Sequence, residues 1–321
     1  MEFNLKKYLC CLIFAILCVS TIIPLGYATT VSAKDLNTNI PSEDSTVELP
    51  EDNTDNSTSG EPEYAPIFRD AYSAYNFAKE KLNSSIGWDV TYTTRYAAEV
   101  YGITGELYTY TEVKKNNNKY FSTIITTNDI PVADDLFRYD YQEDDIVTYR
   151  LTLDVNKENV TSVKEVTPNW NDNEVKLATS EKYLKEENSI GFDLLPIEIT
   201  KKTAKIDYFI SDSKYYRMSF TVNVDTLSQA YLNYANIVKA DAIGYSYVNV
   251  SFVIDKKTGN LISSEKKEKG FLSIRGFDLD VDATTNYVYK NIGIAAQFTK
   301  PADLTPTEEA WNKFKEENGI A

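Results

Sequence analysis

Apolar and polar side chains alternate along most of the chain after residue 88, and a few stretches break that rhythm with the longer period of a helix. Tyr64 to Leu82 is the first: Phe68, Ala71, Tyr75, Ala78 and Leu82 recur at helical spacing, and Gly87 closes the segment. Trp88 to Tyr96, Glu106 to Lys114 and Tyr120 to Thr127 are rich in Tyr, Thr, Val and Ile, with Asn116-Asn117-Asn118 as the turn between the last two. The clearest period of two is Val147-Tyr149-Leu151-Leu153-Val155, interleaved with Thr148, Arg150, Thr152 and Asp154; it predicts a strand with one dry and one wet face. Glu181 to Glu187 reads as a short helix after an Asn-rich loop around Trp170.

Tyr216, Met218, Phe220, Val222 and Val224 alternate as another strand. It runs into an amphipathic helix opened by Asp225 or Thr226, with Leu227, Tyr231, Tyr234, Ala235 and Val238 on one face. Tyr245 to Asp255 then turns at Lys257-Thr258-Gly259-Asn260 into Leu261 to Lys269, and Phe271 to Tyr289 completes the set. A last helix, Thr307 to Asn318, has Pro306 near its start and Glu308 and Glu309 in its first turn, where they suit the dipole. Together these elements predict an α+β fold: a large curved antiparallel sheet with a few packed helices. A half-barrel and two similar halves are the candidate arrangements. Asn118-Lys119-Tyr120-Phe121 and Ser213-Lys214-Tyr215-Tyr216 look like echoing hairpins, two matches too few to establish a duplication.

The first 63 residues follow neither rhythm. Lys6 and Lys7, an apolar run from Tyr8 to Ile23, the break at Pro24 and Gly26, and small residues at Val31-Ser32-Ala33 have the layout of a signal peptide cleaved near Ala33. An uncleaved anchor is the competing reading, since the run is only slightly short of a membrane span. Residues 34–63 contain nine acidic side chains against Lys34 alone, a net of −8, with Pro41, Pro50 and Pro62 and no aromatic; they read as a disordered acidic linker. The globular region is then 64–321, and a subdivision near 160–190 would fit the Asn-rich loop. Secretion or display at the cell surface is the expected address.

Charge and composition narrow the chemistry. A net charge of −15 argues against nucleic acid or an anionic membrane as partner. All three cysteines, Cys10, Cys11 and Cys18, lie in the leader, and the chain has no histidine. Ser-His-Asp and Cys-His machinery therefore cannot be assembled, nor a His- or thiolate-ligated metal site. Phosphate-cradling glycine loops are missing as well.

Carboxylate pairs are the catalytic type left in quantity, with Asp134, Asp135, Asp140, Glu143, Asp144 and Asp145 as the densest group. The plain alternative is a solvated loop. Asp278-Leu279-Asp280-Val281-Asp282 mimics the opening of a calcium loop, but Ala283 stands where glycine makes the turn and Tyr289 where a glutamate closes the site. A strand with aspartates on its wet face is the simpler reading, and a loose calcium site the minor one. Twenty-four tyrosines fit a pleated half-buried surface, an interface, or glycan stacking.

Ile190-Gly191-Phe192-Asp193-Leu194-Leu195-Pro196, the strand end Val224-Asp225-Thr226-Leu227, Tyr231 and Tyr234, and Val248 to Asp255 with Glu265 resemble a group of uncharacterised exported proteins of clostridial-type Gram-positive bacteria. That resemblance covers about residues 64–300 and brings no catalytic residues. The order of a long helix and a wide meander is similar, more distantly, to the half-barrel of LolA-like and LppX-like envelope proteins. It implies a lipid or amphiphile as ligand, or a partner in the cell envelope. The leading expectation is an exported non-catalytic protein that binds an amphiphilic or apolar ligand or a protein partner, without catalytic residues, cofactor or metal. A carboxylate-based glycan hydrolase and an extracellular sensor or adhesin are the alternatives.

Overall fold

The structure, a computed structural model, describes residues 65–100, 103–128, 135–158, 160–170, 174–186, 199–225, 242–274 and 277–320. The leader, the acidic linker, the motif at 190–196 and the helix expected after Asp225 lie outside them.

Helix α1, Ala71–Ser84, begins six or seven residues later than its apolar spacing suggests. Asp70 sets the start: its carboxylate accepts the Ser73 N–H at 3.0 Å, satisfying a donor that the first turn leaves open. Ala71, Ala74, Tyr75, Ala78 and Leu82 form its buried stripe. Gly87, the first residue of the sheet, is crossed so closely by the segment after residue 290 that a Cβ would sit 2.3 Å from the Ile294 carbonyl oxygen, which no other residue allows.

Strands β1 (Gly87–Val100), β2 (Ile103–Asn116), β3 (Lys119–Asn128), β4 (Leu136–Glu143) and β5 (Ile146–Thr152) form a meander. The short β6 (Val155–Asn156) and β7 (Thr167–Pro168) pair with each other, and β8 (Lys176–Thr179) leads into helix α2 (Ser180–Glu186). A second meander follows: β9 (Ala204–Ser211), β10 (Tyr215–Val222), β11 (Ala242–Asp255), β12 (Leu261–Ile274) and β13 (Phe277–Lys290). Helix α3, Glu308–Asn318, is capped by the Thr307 hydroxyl and ends at Gly319 in the left-handed conformation.

The two meanders, with β8 added beside β5, make one antiparallel sheet of eleven strands, in the order β8-β5-β4-β3-β2-β1-β13-β12-β11-β10-β9. Its centre is the β1–β13 pairing, from Asp89 opposite Lys290 to Glu99 opposite Asp280. The fold is thus α+β with a large curved antiparallel sheet, and the sheet does not close into a barrel. Both echoing hairpins exist, as β2–β3 and β9–β10.

Helix α1 defines the inner face. Its stripe packs on Phe220, Phe252, Val250 and Met218 in one apolar cluster that extends to Tyr287 and Tyr289. The outer face under β2–β5 carries a second layer. Trp170 stands edge-on to Phe137 at 5.8 Å, Phe298 stacks on Phe121 at 6.2 Å, and Lys300 Nζ reaches Thr148 Oγ1 at 3.0 Å.

Three expectations need correction. The predicted wet face of Val147–Val155 is covered, because the chain around Trp170 and Phe298 buries Thr148 and Thr152; β5 ends at Thr152, leaving Leu153 exposed. The group from Asp134 to Asp145 is largely a strand, since Leu136–Glu143 pairs on both sides. The break expected at Gly270 is instead mid-strand, and β12 continues to Ile274. Gly270 is needed for close approach, as a Cβ there would lie 2.6 Å from the Gly244 carbonyl oxygen.

Candidate functional site

Antiparallel partners share a face, so the register lays the inner side chains out in rows. One row crosses six strands as Lys266, Thr285, Thr94, Thr109, Thr126 and Leu136. The neighbouring row contributes Glu268, Ala283, Tyr96 and Leu107. Hydroxyl groups and an ion pair therefore stand at positions where a sheet of this kind places its core.

All of these are enclosed. Lys266 is 1 % exposed and ion-paired to Glu268, two residues along the same strand and on the same face. Thr94 Oγ1 donates to Thr285 Oγ1 at 3.1 Å, and the Thr109 and Thr126 hydroxyls share a bond of the same length. Burying a charge pair costs several kcal/mol per ion before mutual attraction offsets it, roughly on the Born scale after relaxation. The sequence thus accepts a costly lining in the middle of the inner face. Apolar groups border it: Val248 and Val250 on one side, Leu107, Ile124 and Leu136 on the other, and the stacked Tyr92 and Tyr287 rings 4.5 Å apart.

A second polar constellation lies farther along the same face, under α2. Arg138 and Asp140, 2 % and 1 % exposed, are joined through Nε and Oδ1 at 2.9 Å. The Tyr183 hydroxyl accepts from Arg138 Nη2 at 2.7 Å and donates to Asp140, while Ser122 Oγ donates to Oδ2 of the same carboxylate at 3.2 Å. Arg138 also lies 5.2 Å from the Tyr149 ring centre. Burial, and then the Asp140 charge, push the Tyr183 hydroxyl well above the usual phenol range, so it stays a neutral donor.

The carboxylates singled out from sequence are not brought together. Asp140 faces inward against Arg138; Glu143 faces outward to Lys119; Asp135 pairs with Lys157. Asp144 accepts from Asn118, and Asp145 from Ser180. Asp134 lies outside the described residues. Each of these carboxylates that the structure describes has a partner of its own, and no two of them share one.

Asp280 and Asp282 are exposed on the outer face of β13, where paired neighbours on both sides hold the backbone extended and unable to wrap an ion. Asp282 pairs with Lys269 at 3.0 Å, and the Asp278 side chain lies outside the described residues. Among the described residues no group of three or more His, Cys, Asp or Glu side chains could hold a metal.

Sequence reading missed Lys266 and Arg138. Lys266-Lys267-Glu268-Lys269 resembles a solvated run, yet its alternation splits the four residues between the two faces. Phe137 and Tyr139 flank Arg138, and that aromatic flanking was the available signal. Helix α1 leaves no room at its end of the face: the Tyr75 ring lies 4.9 Å from Phe252. A cleft of about 320 Å³ beside the second half of α1 is lined by Ala65, Pro66, Phe77, Lys81 and Thr258 among others.

No model of a known protein family matches the chain, and no curated protein matches its sequence. Among solved structures, it is similar to a DUF1329 family protein from Desulfovibrio piger, at 12 % identity and TM-score 0.23, over 73 % of this chain and 98 % of that one. It is also similar to the YwiB protein from Bacillus subtilis, at 9 % identity and TM-score 0.20, over 64 % and 95 %. A third likeness is to a structure described as an outer membrane lipoprotein-sorting protein domain from Vibrio parahaemolyticus, at 9 % identity and TM-score 0.21, over 77 % and 97 %. At these scores the likenesses carry no argument about ligand or activity. No helix among the described residues is long and apolar enough to cross a membrane.

Proposed function

We propose that this is an exported, non-catalytic binding protein whose inner sheet face receives an amphiphilic molecule. One observation carries the reading: the enclosed strip of Lys266, Glu268, Thr285, Thr94, Thr109 and Thr126, bordered by apolar and aromatic side chains. A binding compartment for an amphiphile needs apolar walls for the tail and a few fixed polar groups for the head. The strip offers hydroxyls, one cation and one anion. Because α1 fills its own end of the face, the ligand belongs over the strip and not beneath the helix, and its entry requires the enclosure that keeps Lys266 at 1 % exposure to open.

The test is chemical. Protein purified under native conditions is extracted with organic solvent and the extract read by mass spectrometry, which should return a stoichiometric amphiphile. The stripped protein is then titrated with a dansyl-labelled fatty acid. The Lys266→Met/Glu268→Leu double variant, checked for folding by circular dichroism, should bind it about tenfold more weakly, the loss expected from removing one charge-assisted head contact. An empty extract together with no binding of the probe would overturn the reading.

A further inference from the structure

Helix α2 is held on the inner face through one described side chain. Of Ser180 to Tyr183, only Tyr183 is buried, at 2 % exposure, while Glu181 and Lys182 are exposed. The Tyr183 ring stands edge-on to Tyr149 at 5.2 Å, and its hydroxyl bridges Arg138 and Asp140. Behind it the chain is fixed. Strand β8 pairs with β5 from Lys176 to Thr179, and the Ser180 N–H donates to the Asp145 carbonyl at 2.9 Å. The Thr179 hydroxyl accepts the Lys182 N–H at 3.3 Å, so the helix starts from a capped pivot at the edge of the sheet.

This polar lock stands beside the candidate strip. Arg138 follows Leu136, the last position of the strip's row, by two residues on one face of β4, with Ile124 and Thr126 opposite the two. Lifting α2 leaves most of the lock in place. Arg138 keeps Asp140 at 2.9 Å and the Tyr149 ring at 5.2 Å, and Asp140 keeps the Ser122 hydroxyl at 3.2 Å. The two bonds of the Tyr183 hydroxyl are given up, and water can take over both. The ion pair also regains hydration that burial had removed. Lifting α1 differs in kind, because Ala71, Ala74, Tyr75, Ala78 and Leu82 would pass into water with nothing to offset their exposure.

Elements that move for ligand entry come from the least stable parts of a fold. We infer that α2 is the part of the inner closure that opens, turning about Ser180 and uncovering the β4 end of the strip. Hinges of this kind lie at element termini, where a few residues absorb the change in φ and ψ. The 1 % exposure of Lys266 is then a property of the closed state. The role of α2 in ligand entry rests on the binding function proposed above; its motion does not.

Amide hydrogen exchange of the full chain, read by mass spectrometry over a series of low urea concentrations, tests the motion. Peptides covering 180–186 should exchange at a rate that hardly changes with urea, the mark of a small local opening. Those covering 71–84 should speed up with urea, as global unfolding does. Tyr183→Phe should raise exchange over 180–186 about fivefold or more, through the loss of a hydrogen bond to a charged group. The Arg138→Met/Asp140→Leu/Tyr183→Phe variant, which leaves water nothing polar to take over, should slow it below the parent. If that variant does not fold, the parent and Tyr183→Phe decide. Entry of the dansyl-labelled fatty acid, followed by stopped-flow fluorescence, should be several-fold faster in Tyr183→Phe and slower in the apolar variant. Exchange over 180–186 that follows urea as 71–84 does, or entry at one rate in all three proteins, would overturn the inference. A protein that binds no probe sinks the ligand reading, and the exchange pattern then decides the opening on its own.

Discussion

The two ends of the inner face are closed by different physics. Over β10 to β12 a fourteen-residue helix lays an apolar stripe on aromatic rings, with Tyr75 4.9 Å from Phe252 and 6.3 Å from Phe220. Over β4 and β5 a seven-residue helix, too short for a comparable stripe, delivers Tyr183 to a buried Arg138–Asp140 pair. The first closure is non-directional and scales with area. The second is directional: charge-assisted bonds from Arg138 to the Tyr183 hydroxyl and from that hydroxyl to Asp140 fix where α2 sits and tolerate little error. A long helix can afford to hold by area, whereas a short one has to hold by geometry.

That contrast is broken most directly by removing one partner of the buried pair. Asp140→Ala leaves the Arg138 guanidinium enclosed without its carboxylate and should destabilise the protein by about 3–5 kcal/mol in urea unfolding. The Arg138→Met/Asp140→Leu double variant should recover most of that loss, since well-packed apolar groups often replace a buried pair without penalty. At the other end Phe252→Ala should cost a similar amount, about 3–5 kcal/mol, through the cavity it leaves. No double substitution that merely removes charge should restore it. Equal costs for Asp140→Ala and the double variant would show that the pair contributes shape and not direction.

Smaller changes sharpen the same comparison. Tyr183→Phe keeps the ring beside Tyr149 but removes the hydroxyl that bridges Arg138 and Asp140, for an expected loss of about 1–3 kcal/mol. If the area of α2 sufficed, this loss would shrink to nothing measurable. Asp70→Ala removes the cap of α1 alone and should cost about 1 kcal/mol, read in the same urea titration. Its stripe should hold the helix in place regardless.

The legible part of the molecule was the part governed by area. The stripe of α1, the long alternating strands, the turn at Lys257–Asn260 and the capped α3 all follow from spacing and turn chemistry. Strand β4 did not, because Arg138 and Asp140 occupy inward positions and periodicity cannot tell a buried ion pair from a wet face. The extra residue at Asp207 similarly breaks the period of β9. Gly270 signals a breaker in sequence and a close approach in three dimensions. The joining of β1 to β13 depends on residues about two hundred positions apart, which no local pattern encodes. The candidate strip was hidden for the same reason as β4: it uses Lys, Glu and Thr where burial normally selects apolar side chains.

On the outer face, charge is solvent-exposed and pH tests how little it contributes. Arg95 donates through Nε to Glu106 at 3.1 Å, and its Nη2 and the Tyr108 hydroxyl reach the same carboxylate. The bonds from Arg95, then that from Tyr108, hold the Glu106 carboxyl below its ordinary value of 4.5. A depressed folded-state value means that the contribution is fully present above the ordinary value and is lost as pH falls through the folded one. Between pH 7 and pH 5 the Glu106→Gln variant should therefore differ from the parent by no more than about 0.5 kcal/mol, the range for a screened surface pair. Below about pH 4 that difference should narrow, because the parent loses the same charge. The Asp140→Ala penalty at neutral pH should exceed the Glu106→Gln penalty several-fold, since a charge left alone in the interior has no water to replace its partner. Urea titrations of both variants at pH 7 check it, and equal penalties would mean that enclosure under α2 adds nothing to the cost of a lost carboxylate.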